Sequence, residues 1–194
     1  MAPQLSEDEV DDLIYFARAG EKDELAALLS ALAEREKVST AEILMAAKDE
    51  GKSTCLHMAT GNGHLDIVEL LLDQFASRPQ EERLAFLDAA NEYGNTGLHW
   101  AAMGGHLPVV RLLVERGGAS PALANDKNYV PLDLAGLNDK VEVVDYFLAQ
   151  SRGLESENGA RGLDAAAGNV SLADGGGGEE AKGTETAASK DGTR

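Results

Sequence analysis

Cysteine is almost missing from this 194-residue chain: Cys55 stands alone. No intrachain disulfide can form, and an intracellular, reducing compartment is the expected setting. Aromatic side chains make up only 5% of the residues. Long apolar runs are missing as well. The longest, Leu25 to Ala33, covers nine residues and includes Ser30, far short of the ~20 that span a bilayer. The first sixteen residues carry Glu7, Asp8, Glu9, Asp11 and Asp12, where a secretory leader needs basic residues followed by an apolar stretch. A soluble protein is expected. Basic residues are scarce too, 17 Lys and Arg against 34 Asp and Glu, for a formal net charge of -17. Such a chain repels phosphate backbones and anionic lipid, so neither nucleic acid nor membrane is an expected partner, whereas a basic protein is.

The length suits one domain and an appendage. Residues 151–194 contain ten glycines, four of them consecutive at Gly175 to Gly178, and no aromatic residue. A segment of that composition cannot bury enough apolar surface to offset its ordering entropy, and a disordered, Gly/Ala-rich, weakly acidic tail is expected. Residues 1–150 hold 12 basic and 26 acidic residues, net -14, against 5 and 8, net -3, in the tail. The acidity belongs to the folded part.

Within residues 1–150 the chain repeats itself. Thr54-Cys55-Leu56-His57-Met58-Ala59 aligns with Thr96-Gly97-Leu98-His99-Trp100-Ala101 and with Val130-Pro131-Leu132-Asp133-Leu134-Ala135. Each is followed at the same offset by a second apolar stretch, from Leu65, Leu107 and Val141, and a weaker copy lies upstream over Leu13 to Leu29. The first two copies share a Gly-His-Leu turn, Gly63-His64-Leu65 and Gly105-His106-Leu107. This pattern resembles the ankyrin repeat, whose T-P-L-H-x-A line these residues carry. The resemblance implies an all-α solenoid of about four helix-turn-helix units with projecting β-turn fingers over residues 1–150, each unit stabilised only by stacking. Physically, the threonine opens a short helix as its cap, the histidine can bond the neighbouring turn, and Gly63 and Gly105 permit the tight turn between helices.

Leu56 to Leu98 is 42 residues and Leu98 to Leu132 is 34, so the first interval carries an insertion relative to the ~33 of the repeat. It falls over 75–90, where Pro79 predicts a break followed by a short extra helical turn. Upstream, Ser39-Thr40-Ala41-Glu42 reads as a capping box that starts another short helix. Lys52 occupies a finger position where glycine is usual and positive φ is needed, which predicts a displaced first finger, whereas Asn128 suits the same place in the third.

Catalysis finds no footing. Gly51-Lys52-Ser53 ends like a phosphate loop, but Ala46 stands where that motif requires glycine. The histidines form the same seven-residue pair twice, His57 with His64 and His99 with His106, which the repeat explains without a metal. Cys55 fills a small buried slot and has no redox partner. No enzyme activity, cofactor or metal is expected.

Binding is the expected function, on the face that the resemblance builds from finger tips and first helices. The fingers would present Asp49, Glu50, Gly51 and Ser53, then Glu92, Tyr93 and Asn95, then Asp126, Lys127 and Tyr129. The outward positions of the first helices would be Thr60, Gly61 and Asn62, then Ala102, Met103 and Gly104, then Gly136, Leu137 and Asn138. Trp100 is either a framework residue between repeats or an exposed anchor. Tyr15 matches it in the first copy, beside Asp11 and Asp12. The expected partner-binding set is Asp11, Asp12, Tyr15, Asp49, Glu50, Glu92, Tyr93, Asn95, Trp100, Met103, Asp126, Tyr129 and Leu137, a site for a cationic and partly apolar segment.

Four units with long insertions in the first two intervals, the two T-x-L-H-x-A lines, a degenerate last unit ending Val144-Asp145-Tyr146-Phe147-Leu148 and a loose charged tail resemble the fungal ankyrin-repeat chaperones of small-subunit ribosomal protein S-three. That resemblance implies a monomer that binds one newly made, basic ribosomal protein in the cytoplasm and accompanies it to the nucleus for 40S assembly. The Gly- and Ala-rich tail departs from those proteins. The alternative is a generic ankyrin adaptor in signalling, its charge serving solubility alone.

Overall fold

The computed structural model describes residues 3–152. Of the expected tail, Ser151 and Arg152 continue the last helix, and the remainder lies outside the described residues. Among the described residues there is no strand, and no helix is long and apolar enough to cross a membrane.

Four helical hairpins follow one another. The first pairs α1 (Glu7–Ala19) with α2 (Lys22–Glu36), and α3 (Thr40–Ala46) follows it. The second pairs α4 (Cys55–Asn62) with α5 (Leu65–Asp73), followed by α6 (Gln80–Leu87). The third pairs α7 (Gly97–Gly104) with α8 (Leu107–Arg111), which widens into a π-helical stretch over Leu112–Gly117. The fourth pairs α9 (Pro131–Leu137) with α10, residues 141–152. The first helices α1, α4, α7 and α9 stack in chain order, with α2, α5 and α8 stacked behind them.

The stacking follows from the apolar spacing. Leu13, Leu56 and Leu98 hold the same place in successive first helices, and Leu25, Ile67 and Val109 begin the buried stripes of the second helices. Each such side chain contributes roughly 1.5–3 kcal/mol when it leaves water. The hairpin turns are tight because Gly63 (φ 76°) and Gly105 (φ 79°) adopt the left-handed conformation. They also lie under the next unit. A Cβ on Gly63 would sit 2.5 Å from Nδ1 of His106, and one on Gly105 would sit 2.7 Å from Cδ of Lys140. The aliphatic stem of Lys140 thus covers the turn glycine in the last unit as the second histidine does earlier.

Both insertions become helices. Ser39 and Glu42 form the reciprocal capping box at α3, with the Ser39 N–H donating to the Glu42 carboxylate at 2.9 Å. Downstream of Pro79 the chain makes the eight residues of α6 rather than a single turn, because Phe86 stacks on Phe75 with ring centroids 4.6 Å apart. That helix lies against the π-helical stretch, where Leu87 closes over Gly117.

Candidate partner-binding face

Three fingers connect the units, and they share one register. Asp49, Asn91 and Asn125 open them. The carboxylate of Asp49 accepts from the Ser53 N–H at 2.7 Å, and the Asn91 and Asn125 carbonyls accept from Asn95 and Tyr129 at 3.0 Å. Each finger is closed by a second pair of main-chain bonds, Lys52 N–H to Asp49 O at 2.9 Å in the first. Lys52 (φ 60°), Gly94 (φ 74°) and Asn128 (φ 62°) occupy the left-handed position in turn. The first finger is therefore not displaced: its lysine accepts the cost of roughly 1–2 kcal/mol because the surrounding bonds hold it there. Main-chain bonds then join finger to finger, Glu92 N–H to Gly51 O at 2.8 Å and Asp126 N–H to Tyr93 O at 3.2 Å.

The repeat histidines tie fingers to helices. Nδ1 of His57 accepts the Thr54 N–H at 3.1 Å, so the proton must sit on Nε2, which donates to Asn95 O at 2.8 Å in the next finger. His99 repeats this with Thr96 at 3.1 Å and Tyr129 O at 3.1 Å. Burial holds both imidazoles below their ordinary pKa, against the opposing pull of the carbonyl bonds. The threonine hydroxyls face the same Nδ1 atoms, at 3.0 and 2.9 Å. The helix start is thus capped mainly by the histidine reaching back. His64 and His106 bond backward instead, to Arg18 O at 2.8 Å and Gly61 O at 3.0 Å. All four histidines have structural partners. Cys55 is likewise wholly buried, and desolvation pushes its thiol up to about 12.

On this frame the expected contact residues divide into three groups. Glu50, Glu92 and Asp126 occupy one register position on successive fingers and are all exposed. Tyr93 beside them is 60% exposed, and hydrogen bonding to Glu92 raises its hydroxyl above the usual phenol pKa. Asp11, Asp12, Tyr15, Met103, Tyr129 and Leu137 are also exposed. Asp49 and Asn95 are different. One carboxylate oxygen of Asp49 is held inside its own finger, and Asn95 is half-buried, its side-chain oxygen accepting from Asn125 Nδ2 at 2.8 Å. Both help to build the face.

Trp100 falls between its two expected roles. The ring lies across α4, where a Cβ on Gly61 would come within 2.7 Å of its Cε3 atom, so Gly61 is the space the indole needs. The residue is half-buried, and its buried Nε1 has no hydrogen-bond partner among the described residues. Met58 occupies the same position one unit earlier and accepts an Arg18 Nη2 bond at 3.3 Å. Thr60 and Ala102, expected to point outward, are fully buried, because the following unit covers that side of α4 and α7.

Charge on the face is confined to its edges. Helices α4 and α7 carry no Asp, Glu, Lys or Arg, so the middle of the face is uncharged and contains Asn62 and Met103. Carboxylates lie along the fingers and on α1. Others, including Asp66, Glu69, Glu81 and Glu142, sit on second helices and insertions. The acidity is therefore a property of the whole stack as well as of this face. Between α1 and the first finger, Glu7, Asp11, Asp49 and Glu50 border a cleft of about 740 Å³ with Leu5 and Val10 also in its lining.

Comparison with known proteins agrees with the geometry. Family descriptions for "Ankyrin repeats (3 copies)" and "Ankyrin repeat" match residues 74–158 and 52–80. The chain is 39% identical over 145 residues to the ankyrin repeat-containing protein YAR1 of Saccharomyces cerevisiae, a match covering 74% of this chain and 70% of that protein. It also matches a chain of the crystal structure of the yeast ribosomal protein Rps3 in complex with its chaperone Yar1. That match has a TM-score of 0.69 and 34% identity, and it covers 76% of this chain and 95% of that one.

Proposed function

The chain belongs to the ankyrin-repeat family, with yeast Yar1 among its relatives, and from that premise we propose that it is a dedicated, non-enzymatic chaperone of small-subunit ribosomal protein S3. One observation carries the reading: likeness in sequence to yeast Yar1, and in structure to a chain of the Rps3–Yar1 complex, runs along three quarters of the chain. It binds one client per chain, meets it in the cytoplasm, and escorts it to the nucleus for 40S assembly.

The physics of the client explains the division of labour on the face. A ribosomal protein without its RNA is strongly basic, so it captures stray polyanions and aggregates unless an acidic surface covers it. The net -14 of residues 1–150 supplies the long-range field, which raises the association rate. Glu50, Glu92 and Asp126, with Asp11 and Asp12 on α1, meet the client's cations. Tyr15, Tyr93, Tyr129, Trp100, Met103 and Leu137 set the lifetime of the complex through apolar contact. RNA competing for the same basic surface releases the client.

Titration calorimetry of the full chain with purified S3 at low and high ionic strength tests this. Binding is expected to weaken as salt rises, and Glu92→Lys with Asp126→Lys to weaken it about tenfold or more at low salt. Affinity indifferent to both changes contradicts the reading and favours an adaptor whose charge serves solubility.

A further inference from the structure

Among the described residues four units stack, and the first helix of the fourth, α9, differs from those before it. In earlier units the following repeat closes the far side of the helix: Thr60 and Ala102 are buried, Leu56 packs on Gly97, and His57 and His99 donate to the next finger. On α9 the same positions stand open. Gly136 aligns with Thr60 and Ala102, and a Cβ added to it would meet nothing within 4 Å. Tyr129, Leu132, Asp133, Gly136, Leu137 and Val144 line a groove of about 510 Å³ there. Leu137 is 63% exposed, and Val141 at the start of α10 is 65% exposed.

Asp133 gives the groove its chemistry. It keeps the inward half of the repeat histidine's role, accepting the Val130 N–H on Oδ2 at 3.0 Å. The outward half is inverted. Where His57 and His99 present an N–H to a finger carbonyl, Asp133 presents a carboxylate oxygen with no bond among the described residues. It repels a carbonyl and attracts a cation. A second copy of this chain stacking head to tail would bring α1, with Glu7, Asp8, Asp11 and Asp12, against it. That pairing is repulsive.

We propose that this open end is a docking surface for an amphipathic helix of the basic client. The helix lies on α9 as α7 lies on α4, its apolar side against Leu132 and Leu137 and a lysine or arginine on Asp133. The proposal rests on the chaperone reading and adds a second, terminal contact to the finger face.

The test uses the full chain and purified S3. Leu137→Ser is expected to weaken binding about tenfold or more, the loss from one buried leucine. Asp133→Asn, which retains an amide oxygen for the Val130 N–H, is expected to weaken it severalfold at low salt and less at high salt, with thermal unfolding unchanged. A photoreactive benzoylphenylalanine at Leu137 should cross-link to a helical, Lys- or Arg-bearing peptide of S3. Cross-links to a second copy or to this chain itself overturn the docking proposal, as do unchanged affinities in both variants. If those variants and the unaltered chain bind S3 equally well, only the terminal contact is lost. If the unaltered chain does not bind S3, the chaperone reading falls and takes this proposal with it.

Discussion

Replacing His57 with alanine tests how the stack is held together. The imidazole accepts the Thr54 N–H at 3.1 Å and donates to Asn95 O at 2.8 Å, and Thr54 and His57 are both buried. His57→Ala strands the Thr54 N–H and leaves Asn95 O with only its bond from the Asn91 N–H. A stranded buried group costs about 1–3 kcal/mol and a lost hydrogen bond about 1 kcal/mol, so the expected loss is roughly 2–4 kcal/mol, a large part of the ~5–15 kcal/mol of a typical domain. Urea unfolding followed by circular dichroism measures it, and pH sharpens it. Burial places the folded-state pKa of His57 below the 6.5 of the free imidazole. The unfolded chain therefore binds the proton first as pH falls. The histidine's stabilisation is complete above about pH 6.5 and declines below it, by at most ~1.4 kcal/mol per pH unit for each imidazole. Carboxylates held low by hydrogen bonds, Glu9 at about 2 and Glu36 and Glu42 below 4.5, lose their contribution only in more acid solution. Between about pH 5 and 6.5 the slope of stability against pH should be shallower in His57→Ala than in the unaltered chain by up to one proton's worth. An unchanged slope with an unchanged midpoint refutes the buried, neutral tautomer and its role as the tie between units.

Two further outcomes follow from close approaches in the core. Gly61→Ala would ordinarily favour a helix by about 1 kcal/mol, but the new Cβ would lie 2.7 Å from Trp100. The ring must move off α4, so the emission of this sole tryptophan should shift to longer wavelength, and an unshifted spectrum with raised stability contradicts the packing. Cys55, buried and with its thiol pushed up to about 12, should resist Ellman's reagent at pH 8 in the native chain and react fully in urea; rapid native reaction would mean that the second unit opens.

Much of the frame was legible because repeat chemistry is local. The threonine–histidine spacing, the Gly63 and Gly105 turns and the Ser39–Glu42 cap each need only four or five consecutive residues, and each appears where its chemistry demands. What escaped depends on neighbours in space. Thr60 and Ala102 looked solvent-facing because in a lone helical hairpin that side of the first helix is bare, whereas in the stack the next unit covers it. The framework bonds of Asp49 and Asn95 were not legible, because a carboxylate or amide in a turn serves partners and backbone equally well, and only the closed finger shows the backbone share. Lys52 looked strained enough to move its finger, yet the bonds that Asp49 accepts and the one that the Glu92 N–H donates to Gly51 O outweigh a cost of roughly 1–2 kcal/mol. The length of α6 depended on Phe75 meeting Phe86, a pairing that no helical periodicity announces. Asp133 took its meaning only once the partners of His57 and His99 were visible.

Light scattering from S3 diluted into physiological salt, with and without the full chain, measures directly whether the chain protects its basic client. Scattering should fall with added chain and reach its floor at one chain per client, with a stable complex on gel filtration. Scattering that rises as before, with the two proteins eluting apart, contradicts it.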